Sequence, residues 1–409
     1  MGGGKRILFV SNGYGEDNVA AHIAREFRTL FPEHRIEGFP TVGRGKFYHQ
    51  HEIPLAGRGI DLPSEGFVRS PRDFFVDVWD GLFRKTFRMG LDIKRASVNC
   101  DLIIAVGDPY LLLFTSLFSR LKRENRVFIG LQQSEWYASK KPFKLHYSTL
   151  ERWWLRRSAG LVIVRDTKTR DYLLKKGLKP VYSAGNPMMD CFTIREGRVF
   201  PADRKVIGIL PGSKKEAYEN FGNILETLAC LRRRAGKENN LLFAVAFPPN
   251  LEIGVFEERY GLKRIPNRAT ASGADDSFEV YRVPGSDIEL LFSKTLFGNV
   301  LSESTAVIGL SGTANEQAAG LGKPVFAFWG KGPQITEKFL RAQKKLLGEA
   351  LFIFPPEPER ICRSVYEVLG DDELLRKARE EGIRRMAGRG SIRAIVHEIE
   401  AYLHRTAQP

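Results

Sequence analysis

The sequence predicts an α/β protein built as two doubly wound halves, each with a parallel sheet. Three observations predict it. The chain has 409 residues, more than one ordinary core holds and right for two domains. Short, continuously apolar runs alternate with amphipathic stretches, the pattern of parallel strands covered on both faces by helices. The alternation also pauses at a polar, charged segment, "TIREGRVFPADRK" (193–205), and then restarts.

In the first half, "RILFVSNG" reads as a strand and "EDNVAAHIAREFRTLF" as an amphipathic helix. "CDLIIAVGD" is a strand and "PYLLLFTSLFSRLKR" a helix. "RVFIGL" and "GLVIVRD" are further strands, and "TKTRDYLLKKG" is a helix stopped by Gly177. In the second half, "KVIGILPGS" runs from a strand into the helix "KKEAYENFGNILETLACLRRR". "NLLFAVAFPP", "SFEVYRV", "DIELLF", "TAVIGLSG" and "PVFAFWG" are strands, with a helix beginning at "NEQAAGLG". The tail is two helices split at Gly388–Gly390. The expected division is a domain at 1–192, a linker at 193–205, a second domain at 206–384 and a helix at 385–409 returning to the first. Doubly wound sheets take ligands at the C-terminal ends of their strands, so the halves are expected to face each other across a cleft there.

Composition narrows the function. Hydrophobic residues make up 43% of the chain and aromatics 11%, with 39 glycines, as in a soluble enzyme with many tight loops. No apolar run approaches the roughly 18 residues of a spanning helix. "MGGGKRILFVSNG" is too brief in its apolar part for a signal peptide. Cys100, Cys191, Cys230 and Cys362 lie far apart without a CxxC pair, and are expected as reduced thiols of a cytosolic protein. Sixty-three basic against 48 acidic residues give +15, a field that attracts polyanions. Three stretches of the first half mix basic and aromatic residues: 72–90 (Phe74, Phe75, Trp79, Phe83, Phe87 with Arg84, Lys85, Arg88), 120–126, and 140–157 (Phe143, Trp153, Trp154). No recognition helix or RNP-type strand accompanies them, so nucleic acid is not an expected partner. Two readings of 72–90 stay open: a surface dipping into an anionic bilayer, or core aromatics with basic side chains snorkelling at the edge.

The chemistry centres on "LSGTANEQAAGLGKPVFAFWG" (310–330). A strand ends at Leu310, and Ser311, Gly312, Thr313 and Ala314 make the turn into a helix near Asn315. Small residues let main-chain N–H groups approach a ligand, and a helix N-terminus favours phosphate. Glu316 and Gln317 follow in the first turn, as acceptors for ribose hydroxyls. Gly320 and Gly322 permit close helix–strand packing.

"SGTANEQAAGLGKPV" resembles the donor-binding signature of GT-B glycosyltransferases, near lipid-A-disaccharide synthase and similar to the UDP-GlcNAc 2-epimerases. "LPGSKKE" (210–216), "GNPMMD" (185–190), "SNGYGEDNVAAHIA" (11–24) and "GPQITEKFLRAQKKLLG" (332–348) resemble further segments of that family in the same order, and "RMAGRGSIRAIV" resembles a lipid-A-disaccharide-synthase-related subgroup. The resemblance covers nearly the whole chain. It implies a GT-B fold whose C-terminal domain binds a UDP-sugar through Gly212, Ser213, Lys214, Ser311, Gly312, Thr313, Ala314, Glu316, Gln317, Gly332, Pro333 and Gln334. Asn12, Gly13, Tyr14 and Gly15 would line the acceptor side. Two positions depart from the family pattern. Gln317 stands where the family has the ribose-holding Glu, with Glu316 one step earlier. Lys214 replaces an arginine, giving a point charge rather than a bidentate fork.

Sugar transfer needs a base for the acceptor hydroxyl and a cradle for the leaving diphosphate. Asp108 in "IIAVGDPY" is the first candidate base, one residue from the family's Asp register. Asp17 in "GYGEDN" is second and Glu16 third. Asp17 also suits a helix N-cap, and Asp108 a loop carboxylate before Pro109. "HQHE" (His49, His51, Glu52) reads as a loop rather than a metal site, and no metal or other cofactor is expected beyond the UDP-sugar co-substrate.

The expected function is a hexosyltransferase resembling lipid-A-disaccharide synthase, moving a sugar of the GlcNAc type from a UDP-sugar to a lipid-linked acceptor with inversion. It would sit peripherally on the cytoplasmic face of the cell membrane, touching anionic lipid, with a second copy of the chain as a further candidate partner. The alternatives are a UDP-GlcNAc 2-epimerase-like enzyme and an inactive nucleotide-sugar-binding GT-B protein.

Overall fold

The computed structural model of the chain describes residues 4–60, 82–137, 146–236, 240–266, 275–332 and 335–407. The chain divides into two compact units, Met1–Cys191 with Arg389–Pro409, and Phe192–Gly388.

The first unit is a parallel sheet of β1 (Arg6–Ser11), β2 (Arg35–Pro40), β3 (Leu102–Gly107), β4 (Arg126–Gly130), β5 (Leu161–Val164) and β6 (Val181–Tyr182), in the order β2-β1-β3-β4-β5-β6. Apolar residues run on without alternation because both faces are covered. In β3, Leu102, Ile104 and Val106 enter one core, while Ile103 and Ala105 enter the other. The described helices are α1 (Tyr14–Leu30), α2 (Lys46–Gln50), α3 (Leu82–Ala96), α4 (Pro109–Phe118), α5 (Thr149–Ser158) and α6 (Thr167–Lys175). The helix Ser391–Ala407 completes the unit, adding Ile392, Ile395, Val396, Ile399 and Tyr402 to the core shared with α1. Asp190 caps it, accepting from the N–H groups of Gly390 (2.7 Å) and Ile392 (2.8 Å). The Asp of "GNPMMD" therefore has a structural task.

The second unit is an eight-stranded sheet of β7 (Lys205–Leu210), β8 (Leu241–Ala246), β9 (Lys263–Ile265), β10 (Glu279–Arg282), β11 (Glu289–Ser293), β12 (Ala306–Gly309), β13 (Val325–Phe328) and β14 (Leu351–Phe354), ordered β14-β13-β12-β7-β8-β11-β10-β9. Its helices are α7 (Ala217–Ala235), α8 (Ile253–Tyr260), α9 (Phe297–Glu303), α10 (Thr313–Gly320), α11 (Glu337–Leu347), α12 (Pro358–Leu369) and α13 (Asp372–Met386). The sheet is not parallel throughout: β10 runs antiparallel to both β9 and β11 at one edge.

Three local expectations change. The helix expected over "PYLLLFTSLFSRLKR" stops at Phe118, where Ser119 turns to extended backbone. The segment 193–205, read as a linker, is docked on the second unit. Val199 and Phe200 are buried, their N–H groups donate to the Glu303 carboxylate, and Arg195 and Asn299 exchange two hydrogen bonds. The cysteines are not four separate thiols. Cys230 on α7 and Cys362 on α12 are joined by a disulfide, because these two helices pack side by side, while Cys100 and Cys191 are free.

Candidate functional site

Each unit has a topological switch point, where successive connections leave the sheet in opposite directions and open a crevice at the strand ends. In the second unit it lies between β7 and β12, the central neighbours. Leu310 N–H donates to Leu210 O (2.8 Å) and ties the two ends together. Gly212 follows β7 at φ +94°, and a Cβ there would stand 2.8 Å from Leu310 O. Only glycine combines that backbone with that approach. Ser213 is fixed through its carbonyl, which accepts from Asn250 Nδ2 (2.5 Å); Lys214 is exposed.

Beyond β12, Ser311 and Gly312 lead into α10. No side chain caps this helix, so its first-turn N–H groups and the positive end of its dipole are offered to the crevice. The turn is held from behind. Gln343, buried on α11, donates to Gly312 O (2.8 Å) and accepts from Asn315 Nδ2 (3.1 Å), which also reaches Gly309 O (3.1 Å). A cavity of about 230 Å³ fills the crevice, lined by Leu210, Pro211, Gly212, Ser213, Ala246, Phe247, Pro248, Pro249, Lys294, Phe297, Ser311 and Ala314. A larger groove of about 790 Å³, between the exposed Glu and Arg side chains of α7 and α12, lies away from the strand ends. It is a channel among surface ion pairs rather than a crevice of the sheet.

Glu316 is partly exposed and Gln317 buried, so of the two expected ribose acceptors Glu316 has the better access to solvent. Thr313 is exposed at the start of α10. Gly332 has φ +103°, with Glu216 Cγ 2.4 Å from where its Cβ would be. Its loop is clamped by buried Asn220, which bonds both main-chain groups of Lys331 (2.8 and 3.0 Å). Pro333 and Gln334 lie outside the described residues.

In the first unit the switch point is between β1 and β3. It gathers Asn12, Gly13, Gly15, Glu16, Asp17 and Asp108; the main chain of Tyr14 begins α1. The helix cap is Asp108 rather than Asp17. Asp108 is the N-cap of α4: its carboxylate accepts from Leu111 N–H (2.9 Å) and from Asn12 Nδ2 (2.9 Å), with Pro109 at the first helical position. Asp17 is not a cap, since α1 is entered at Gly13. It is 3% exposed, and burial raises its carboxyl to about 7, opposed by hydrogen bonds from Ser11 and the Gly13 main chain and reinforced by the Glu16 charge. Ser11 Oγ donates to Asp17 Oδ1 (2.5 Å) and is 2.7 Å from the buried Tyr48 hydroxyl. Glu16 is also buried and accepts from Gln132 Nε2.

The sequence reading missed Ser11, Tyr48 and Gln132 here, and Asn220, Lys294, Asn315 and Gln343 in the second unit. Ser11, Asn315 and Gln343 lie inside the quoted motifs but face the protein rather than a ligand, and Tyr48, Gln132, Asn220 and Lys294 belong to none of those motifs.

Among the described residues, one group has metal-ligand types in reach of one another: Glu33, His34 and Glu400. Lys5 N–H donates to His34 Nδ1 (3.0 Å), which places the ring proton on Nε2, facing Glu400 (3.0 Å). That nitrogen has no lone pair for a cation, and the group braces the last helix instead. His51 packs edge-on against His22 (4.3 Å between ring centres). Burial, His22 and nearby arginines lower it to about 4.

Of the basic–aromatic stretches, Phe74, Phe75, Trp79 and Phe143 lie outside the described residues. The core reading of 72–90 fails for Phe87 (61% exposed), and Trp153 of the third stretch is also exposed (48%). They belong to a run over α3, α4 and α5 with exposed Tyr110, Leu117 and Leu150, linked by ring contacts Phe87–Phe118 (6.1 Å) and Tyr110–Trp154 (5.4 Å). Arg84, Arg88, Arg120, Lys122, Arg156 and Arg157 are exposed on these helices and the loop after α4.

No protein-family model and no curated protein matches the chain. Solved structures do. The calicheamicin glycosyltransferase CalG4 has a TM-score of 0.63 at 15% identity, over 99% of this chain and 99% of its own. MurG of Acinetobacter baumannii has 0.57 at 14%, over 97% and 99%. The UDP-GlcNAc 2-epimerase of Neisseria meningitidis, bound to UDP-GlcNAc, has 0.51 at 15%, over 97% and 100%. The chain has the GT-B fold. Identities this low speak for the GT-B architecture alone; the finer resemblance to lipid-A-disaccharide synthase rests on the sequence motifs.

Proposed function

We propose that the protein is a GT-B glycosyltransferase that moves a sugar of the GlcNAc type from UDP to a lipid-linked acceptor with inversion. The observation that carries the reading is Asp17, a buried carboxylate poised near neutrality at the first unit's strand ends. A general base works best when its pKa lies near the working pH. In this reading the acceptor hydroxyl gives its proton to Asp17 as its oxygen bonds to C1 of the sugar. The C1–O bond to the diphosphate breaks on the opposite side. The departing charge is met by the first-turn N–H groups of α10, the Gly212–Ser213 turn, Lys214 and Lys294, so the step calls on no metal. Asp108 serves as a cap.

The lipid acceptor is supported by the exposed aromatic and basic side chains of α3–α5, which suit an anionic membrane surface. The enzyme would then work at the cytoplasmic face of the membrane. A second reading, a UDP-GlcNAc 2-epimerase, is favoured by the epimerase among the similar folds. A third, an inactive nucleotide-sugar binder, is favoured by Gln317 and Lys214.

Incubation of the purified protein with a panel of UDP-sugars and membrane lipid, followed by mass spectrometry, separates the three. The transferase releases UDP and yields a lipid heavier by one sugar. A C2 epimer with no glycolipid moves the protein to the epimerases, and UDP-sugar binding without any product to the binders.

A further inference from the structure

Asp17 does not stand alone. Ser11 Oγ has one proton, and it is directed at Asp17 Oδ1 at 2.5 Å. The Tyr48 hydroxyl lies 2.7 Å from the same Oγ. With the Ser11 proton spent on the carboxylate, Tyr48 must be the donor to Ser11. The chain therefore runs one way, from Tyr48 through Ser11 to Asp17, and ends on the carboxylate oxygen. Each donor in such a chain is polarised by the one behind it, which strengthens the last bond when the acceptor is charged.

The arrangement is built from several elements. Ser11 is the last residue of β1, and Thr41 after β2 fixes its carbonyl through N–H (2.8 Å) and Oγ1 (3.0 Å). Tyr48 comes from α2 and is fully buried. Its ring fits only because β2 has Gly38 beneath it: a Cβ there would lie 2.5 Å from Tyr48 Cδ1. The titratable groups that act on Asp17 are Glu16 on its own helix and Tyr48 on α2. Glu16 disfavours the charged carboxylate, and so does burial. Opposing them are the Gly13 main chain and the hydroxyl chain, which reaches Asp17 from β1 and α2 on the same face of the sheet.

We propose that Ser11 and Tyr48 are positioning residues that keep Asp17 ionisable at neutral pH, Tyr48 acting through Ser11. Without them burial would leave Asp17 protonated where it must accept a proton. This inference rests on the reading of Asp17 as the base, and its test is chosen to separate the two.

The full-length protein, labelled with carboxyl-13C aspartate, is titrated by NMR, with the Asp17 signal assigned by its loss in Asp17→Asn. Ser11→Ala should move the midpoint upward by about one pH unit, and Tyr48→Phe, which keeps the ring, by about half as much. Gly38→Ala, which leaves all three polar groups in place but crowds the Tyr48 ring, should also raise it. Ser11→Thr, which keeps the hydroxyl, should hold it. An unmoved or lowered midpoint in both Ser11→Ala and Tyr48→Phe overturns the proposal. The acid limb of the pH–rate profile is then compared. If it follows the NMR midpoint, both the chain and the base stand. If the midpoint moves and the limb does not, the chain stands and Asp17 is not the base.

Discussion

The two switch points occupy the same place in their sheets and have opposite character. The one between β1 and β3 is rich in carboxylates: Asp17 and Glu16 are buried there and Asp108 is spent on a helix cap. Among the described residues, the cavity lining of the one between β7 and β12 holds no carboxylate, but small residues, aromatic walls, a lysine and an uncapped helix start. The fold sets where a ligand can approach, and a handful of side chains set the sign of charge it meets. One crevice suits a proton in transit, the other an anion.

That contrast can be broken in order of expected effect. Asp17→Asn should cut turnover by about 10²–10⁴-fold, while Asp108→Ala should lose mainly its cap, about 1 kcal/mol of stability, with turnover within several-fold. Equal losses in both would erase the distinction between them. The same Asp17→Asn change should stabilise the fold at high pH. Asp17 is raised from 3.8 to about 7, so its contribution is fully present below pH 4 and is lost as pH rises toward 7. In urea melts, the advantage of Asp17→Asn over wild type should grow by roughly 4 kcal/mol between pH 4 and pH 8. A flat difference would mean that the carboxylate is not desolvated.

On the anion side, Gly212→Ala should weaken UDP binding by about tenfold or more, since a methyl at φ +94° meets Leu310 O at a conformational cost of about 1–2 kcal/mol. Gln343→Ala touches no ligand in this reading and should weaken UDP by about fivefold, the loss of one or two bonds behind the Ser311–Gly312 turn. Calorimetry with UDP reads both, and unchanged affinity in either would place the anion elsewhere.

Much of the fold was legible because its signals are local. The apolar runs of β1, β3, β7 and β12 and the small-residue turns after them lie within a few residues of each other. The antiparallel edge also had a local signal: "VPGSD" between β10 and β11, with Gly285 at φ +67°, is a hairpin turn that the parallel reading passed over. The capping task of Asp108 had a local signal as well. Asp followed by Pro is a helix-start signature, which Asp108–Pro109 turned out to be. The burial of Asp17 was beyond local reading, because it depends on Tyr48, 31 residues on, and on the glycine that makes room for it. The Cys230–Cys362 bond spans 132 residues, and nothing near either cysteine announces the other.

The helix Ser391–Ala407 has a consequence for synthesis. Its apolar side chains belong to the core of the first unit, and Tyr402 reaches Glu124 O (2.7 Å), yet it is made after the whole second unit. On the ribosome, the part of the chain translated first must wait for residues near 400 before its core can close. The part translated later, 192–388, has all its strands in hand sooner. Maturation therefore runs against the order of translation, and a chain cut short near residue 390 would leave its oldest half unfinished and its younger half whole.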